Sequence, residues 1–212
     1  MTATITDHAV RTAVESTSRT ATLSARWRRI AAGRTGMGVL YVWAVAEAMV
    51  WPLIPDSALM GMVLASPRHA PRLLAAAVAG TLTGGTVGVL LGRLGAHWHL
   101  PLVTERMRDA AHGWLATGGA DGLWHQPLSG VPYKAFVQAV ADLPVALGDF
   151  LWLTLQARGV RMLASAAVAS MAGAVLWRVV PERHRAATHV TVVAAATVLL
   201  FSGLAAVIVH WS

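Results

Sequence analysis

Apolar and polar positions alternate along this chain in long blocks rather than with a short period. After a polar stretch of 34 residues, five apolar blocks follow: Met37–Ala65, Leu73–Leu94, Tyr133–Ala157, Val160–Val180 and His189–Trp211. A helix needs about 20 apolar residues to cross a hydrocarbon core of roughly 30 Å. Leu73–Leu94 and His189–Trp211 fit that length directly. Met37–Ala65 is too long for one crossing and too short for two. Its middle reads Trp51-Pro52-Leu53-Ile54-Pro55-Asp56, and the two prolines remove backbone donors and stop a helix. Two short helical arms joined at Pro52 and Pro55 predict a re-entrant hairpin over residues 37–65. That arrangement keeps Arg34, Arg68 and Arg72 on one side, as the positive-inside tendency requires.

Residues 95–113 form a polar segment that carries Glu105, Arg106, Arg108 and Asp109, with Trp98 suited to an interface. A second Pro/Gly-broken turn follows at Pro127 and Pro132, between arms at Trp114–Trp124 and Ala135–Leu147. It predicts a second, weaker hairpin over 114–147. Spans are expected at 73–94, 149–180 and 189–211. The fold class expected is an all-α integral membrane protein, with two re-entrant hairpins and about three to four transmembrane helices. Gly80, Gly84, Gly88 and Gly92 recur every fourth residue, a smooth stripe that lets a neighbouring backbone approach closely.

Composition strengthens the membrane reading. Of 212 residues, 56% are hydrophobic and 13% charged, against about 25% charged in soluble domains. The net charge is +7, and every basic residue but Lys134 is Arg. These arginines flank apolar blocks, which argues for anionic membrane surface rather than nucleic acid. Cysteine is absent, which excludes disulfides and thiol chemistry. Residues 1–34 hold Arg11, Arg19, Arg26, Arg28, Arg29 and Arg34 but no apolar run of signal-peptide length. An organelle transit peptide would share that composition; a disordered basic tail on the cytoplasmic face of a bacterial plasma membrane is the simpler expectation. The C-terminus lies outside if 149–180 is one span, and a loop at Arg158–Arg161 would invert it.

Chemistry enters with the charges inside apolar blocks. Glu47 lies well within the first block and Asp56 at its turn. A carboxylate at such depth must face a cavity, pair or hold a proton, which suits proton coupling. Asp56 has a second reading as the N-cap of the following arm. Arg158 and Arg161 are three apart and match phosphate oxygens if helical, or are topogenic charges if in a loop. Lys134 beside the second turn is a further phosphate ligand candidate. Asp142 and Asp149 read as helix caps or as further sites. His97, His99, His112 and His125 lack the arrangement of a metal site. No nucleophile motif or nucleotide loop has its required context, so neither enzyme activity nor a cofactor is expected.

Taken together, these residues resemble the DedA family, the SNARE-associated or VTT-domain membrane proteins. The resemblance covers roughly residues 41–177. It rests on Glu47, Pro52, Pro55 and Asp56; on Gly84, Gly88, Gly92 and Arg93; and on Pro132, Tyr133, Lys134, Phe150, Arg158, Gly159 and Arg161. His125-Gln126-Pro127 with a single Lys134, Val89 after the glycines, and Val140-Ala141-Asp142 depart from the family pattern and mark a divergent member. The resemblance implies facing re-entrant hairpins and translocation of lipid phosphate or phospholipid, with proton coupling. Two other functions stay open: a proton-coupled transporter of small cations or drugs, and a membrane assembly protein without transport. The partners expected are membrane lipid and protons. Self-association is left open.

Overall fold

A computed structural model describes residues 25–26, 29–50, 55–96 and 98–211, and all regular structure among them is helical. Seven helices carry the architecture: α1 (Arg34–Met49), α2 (Pro55–Ala65), α3 (Ala70–Arg93), α4 (Glu105–Gly118), α5 (Tyr133–Asp142), α6 (Leu147–Val179) and α7 (Glu182–Trp211). Three stretches are long and apolar enough to cross a membrane: Pro67–Arg93, Leu147–Val179 and Val190–Trp211. Of the segment read as a tail, residues 29–32 are helical, and Ala31 is buried in the core with Leu40 and Leu73.

The glycine stripe of α3 is shared between two partners. A Cβ at Gly84 would lie 2.6 Å from the Val45 carbonyl oxygen and 2.8 Å from the Ala48 Cβ. Gly80 meets Tyr41 and Ala44 in the same way, so α1 covers the first half of the stripe. At Gly88 a Cβ would come within 2.6 Å of the Val137 side chain, and at Gly92 within 2.5 Å of Ala141. The second half therefore belongs to α5. Residue numbers rise together in both sets of contacts, so α1 and α5 run parallel to α3. Backbones approach this closely only where no side chain intervenes.

After α1 the chain reverses. α2 ends at Ala65, and the 3-10 turn Pro67–His69 leads straight into the start of α3. α6 runs against α3: Phe150 lies near Gly85, whereas Gly173 lies beside Leu64 and Pro67. It is continuous over 33 residues, because no proline falls between Pro144 and Pro181 and Gly159 is tolerated within it. At 1.5 Å per residue it is about 50 Å long, so it tilts or projects beyond a hydrocarbon layer of about 30 Å. The helix places Arg158 and Arg161 within a stretch long and apolar enough to cross a membrane and removes the loop alternative.

Two boundaries differ from expectation. The expected division at residue 113 falls inside α4, which starts at Glu105. Thr104 caps it by accepting from the Met107 amide at 3.3 Å, and it ends where Gly119 adopts φ 57°. The right arm of the second broken segment stops at Asp142 rather than Leu147, because Pro144 disfavours helix at the residue before it.

Candidate functional site

α1 ends at Met49, with the Val50 amide donating to the Ala46 carbonyl at 2.8 Å, and helix termini need donors for their last carbonyls. Side chains from elsewhere supply donors. The Trp98 indole donates to the Met49 oxygen at 2.9 Å, and the Lys134 ammonium donates to Val50 at 3.4 Å and to Pro101 at 2.6 Å. Gln138 of α5 donates to the Trp98 carbonyl at 3.0 Å. The two broken segments thus meet, joined through the 95–104 connection. Lys134 joins neither of the ion pairs described below; it is buried and occupied by backbone oxygens.

Glu47 lies just before the break and Asp56 just after it, and α6 supplies a cation to each. Arg158 forms a fork with Glu47, Nη1 to Oε1 at 3.3 Å and Nη2 to Oε2 at 2.9 Å. Arg161 Nη2 donates to Asp56 Oδ2 at 2.7 Å, and Ser165 donates to Oδ1 at 3.4 Å. Asp56 stands in the first turn of α2 with its carboxylate spent on α6. The side chains of the first pair are 2% and 8% exposed, for Arg158 and Glu47; for Arg161 and Asp56 the values are 27% and 8%. Two positive and two negative charges cancel in one buried layer, the condition under which charges persist at low dielectric.

The second broken segment supports the inner pair. The Arg158 guanidinium lies 4.5 Å from the Tyr133 ring centroid, a cation–π contact. Tyr133 stacks on Phe150 at 5.8 Å, and its hydroxyl shares a hydrogen bond with Thr154 at 3.1 Å. Gly85 makes room for that hydroxyl, since any Cβ there would collide with it. The Nε atoms of both arginines are buried and have no hydrogen-bond partner. Each guanidinium therefore has one buried N–H donor unused.

The structure brings together Glu47, Asp56, Arg158 and Arg161. Tyr133, Thr154 and Ser165 complete the layer and were not singled out by sequence as site residues. One signal was available: Thr154, Arg158, Arg161 and Ser165 are polar positions spaced four, three and four apart, one face of a helix. Pro55 is buried at the start of α2, while Pro52 lies outside the described residues. Pro127 sits in the single helical turn Gln126–Ser129, and Pro132 is the N-cap of α5. Asp142 and Asp149 are exposed, and neither is an N-cap: Asp142 ends α5, and the N-cap of α6 is Ala146. Arg93 donates to the Val145 carbonyl at 2.5 Å and fixes the link between α5 and α6. Among the described histidines, His125 stacks on Trp114 at 4.7 Å; no group of three His, Asp or Glu side chains comes together among the described residues.

Comparison with known proteins gives little context for this site. No family model matches the chain, and no solved structure matches it. The chain is similar to an uncharacterized protein of Haemophilus influenzae, 24% identical over 132 residues, which cover 60% of this chain and 68% of that protein.

Proposed function

We propose that this protein is a divergent DedA-like lipid translocase that moves a phosphate-bearing headgroup across a bacterial plasma membrane with proton exchange at Glu47 and Asp56. The observation that carries the reading is the pair of buried carboxylate–arginine contacts on either side of a broken helix. They lie roughly 16–21 Å along α6, well inside a helix of about 50 Å. In this reading the segments 37–65 and 114–147 are re-entrant, and their breaks lie at membrane depth where protein covers them.

The chemistry follows from the pairing. A carboxylate that takes up a proton no longer holds its arginine, and the freed guanidinium donors, together with the unpartnered Nε, suit phosphate oxygens. Phosphate replaces carboxylate as the counter-charge, so the buried layer stays balanced. Loss of the proton restores the carboxylate and expels the headgroup. Arg34, Arg68, Arg72 and Arg178 cluster toward one end of the bundle, which supports an orientation with the N-terminus cytoplasmic.

The test is movement of fluorescent phospholipid in proteoliposomes of purified protein. Wild-type protein moves lipid, and Glu47→Gln and Arg158→Ala do not. Lipid movement unchanged in both variants would overturn the reading. Movement of cationic dyes without lipid would point to a cation or drug transporter, and movement of neither to an assembly role.

A further inference from the structure

Outside the ion-pair layer, an apolar cleft lies next to the outer of the two ion pairs. It lies between α2, α6 and α7 and is lined mainly by Met60, Gly61, Leu64, Ala169, Val193 and Ala196. Its polar neighbours are few: Ser57 at one edge, and Thr197, whose hydroxyl is already bonded to the Val193 carbonyl at 2.8 Å. The cleft begins one residue after Asp56 on α2 and one helical turn beyond Ser165 on α6, so the Asp56–Arg161 pair stands at its head. From Arg161 to Ala172 the α6 wall runs about 16 Å.

The third wall is lightly held. None of the described residues in the apolar window of α7 is buried. The polar attachments of α7 lie at its two ends. Near the start Arg185 donates to the Val180 carbonyl at 2.9 Å and lies 5.5 Å from the Trp177 ring centroid. At the C-terminal end the Trp211 indole donates to the Ser129 carbonyl and Thr104 to the Trp211 carbonyl, both at 3.1 Å. Nearer the cleft, a Cβ at Gly61 would only just touch Val193, at 3.9 Å. The wall suits an apolar occupant, and the partly exposed Arg161 guanidinium at the head suits an anionic group that exchanges with the Asp56 carboxylate.

We propose that the α2–α6–α7 cleft holds one acyl chain of an anionic phospholipid whose phosphate is drawn to Arg161. The inference rests on the lipid-phosphate reading above and adds where the hydrocarbon goes. Entry is lateral, between α7 and α2, because α7 has little burial to lose when it shifts.

The experiment uses phosphatidic acid carrying a photoactivatable group in its acyl chain, with phosphatidylcholine bearing the same group as control. Both are placed in vesicles with full-length protein, and the labelled peptides are mapped by mass spectrometry. Phosphatidic acid labels the buried Ala169 position of α6 in preference to phosphatidylcholine. In Arg161→Gln that preference falls by about tenfold or more, as expected for loss of a charge-assisted hydrogen bond. Ala196→Phe, a milder change on α7 outside the ion-pair layer, fills the cleft and also removes Ala169 labelling. Equal labelling by both lipids, insensitive to Ala196→Phe, would overturn the proposal even if lipid movement persists. Preferential labelling without lipid movement would support the cleft and count against the translocase reading. Because the chain lacks cysteine, a disulfide-linked dimer formed by Ala196→Cys would show a second copy in the cleft, and would overturn the proposal too.

Discussion

The two arginine–carboxylate contacts on α6 share a helix and a chemistry, yet they differ in surroundings. Arg158 is enclosed: it forks onto Glu47, lies over Tyr133 and is 2% exposed. Arg161 holds Asp56 by one short hydrogen bond, with Ser165 as a weaker second donor, and is 27% exposed. One turn of helix separates a sealed contact from an accessible one. The sealed pair fixes α1 against α6; in the proposed reading the accessible pair is the better placed to exchange its carboxylate for an external anion.

The strongest way to break that contrast is to remove each cation in turn. Arg158→Ala leaves Glu47 buried without a counter-charge, and the unfolding free energy in detergent falls by about 3–5 kcal/mol. Arg161→Ala costs less, about 1.5–3 kcal/mol, because the arginine is itself partly exposed and its truncation opens Asp56 to water. Equal losses in chemical denaturation would erase the distinction. Replacing the whole inner pair, Glu47→Leu with Arg158→Met, recovers most of the stability lost by Arg158→Ala, because no orphan charge remains. The same double variant does not restore lipid movement.

Smaller changes sharpen the contrast. Gly84→Leu forces α1 away from α3, moves Glu47 with it and costs about 1–3 kcal/mol, whereas Gly113→Ala, in open space on α4, leaves stability equal or higher. Thermal unfolding of the two variants side by side checks this. Tyr133→Phe deletes the hydroxyl that bonds Thr154 and costs about 1 kcal/mol, an effect confined to the inner pair. Ser165→Ala touches only the outer pair through a 3.4 Å contact, and its change stays within about 0.5 kcal/mol.

Much of this was legible in the chain. The glycine stripe of α3 announced close packing because a missing side chain is visible in a single residue, but it did not say that two helices divide the stripe. Prolines marked both broken segments, yet the extent of α4 escaped notice: a polar first turn capped by Thr104 reads as a connection when only apolar length is followed. The four charged residues stood out for their apolar settings. Their individual readings, acids for protons and arginines for phosphate, missed that they hold one another. Lys134 resembled a phosphate ligand because its place at a turn was visible, whereas the backbone oxygens of Val50 and Pro101 that engage it were not.

What the sequence alone determined is the all-helical class with stretches long and apolar enough to cross a membrane, the prolines that interrupt them, and the identity of the charges set among apolar residues. Those are properties of one residue and its chain neighbours: transfer cost, a missing amide donor, a missing Cβ. Which acid meets which arginine was decided by tertiary structure, across separations of 111 and 105 residues. Pairing depends on distance, and the distances were set when α6 packed antiparallel to α1 and parallel to α2, the helices on either side of the first break.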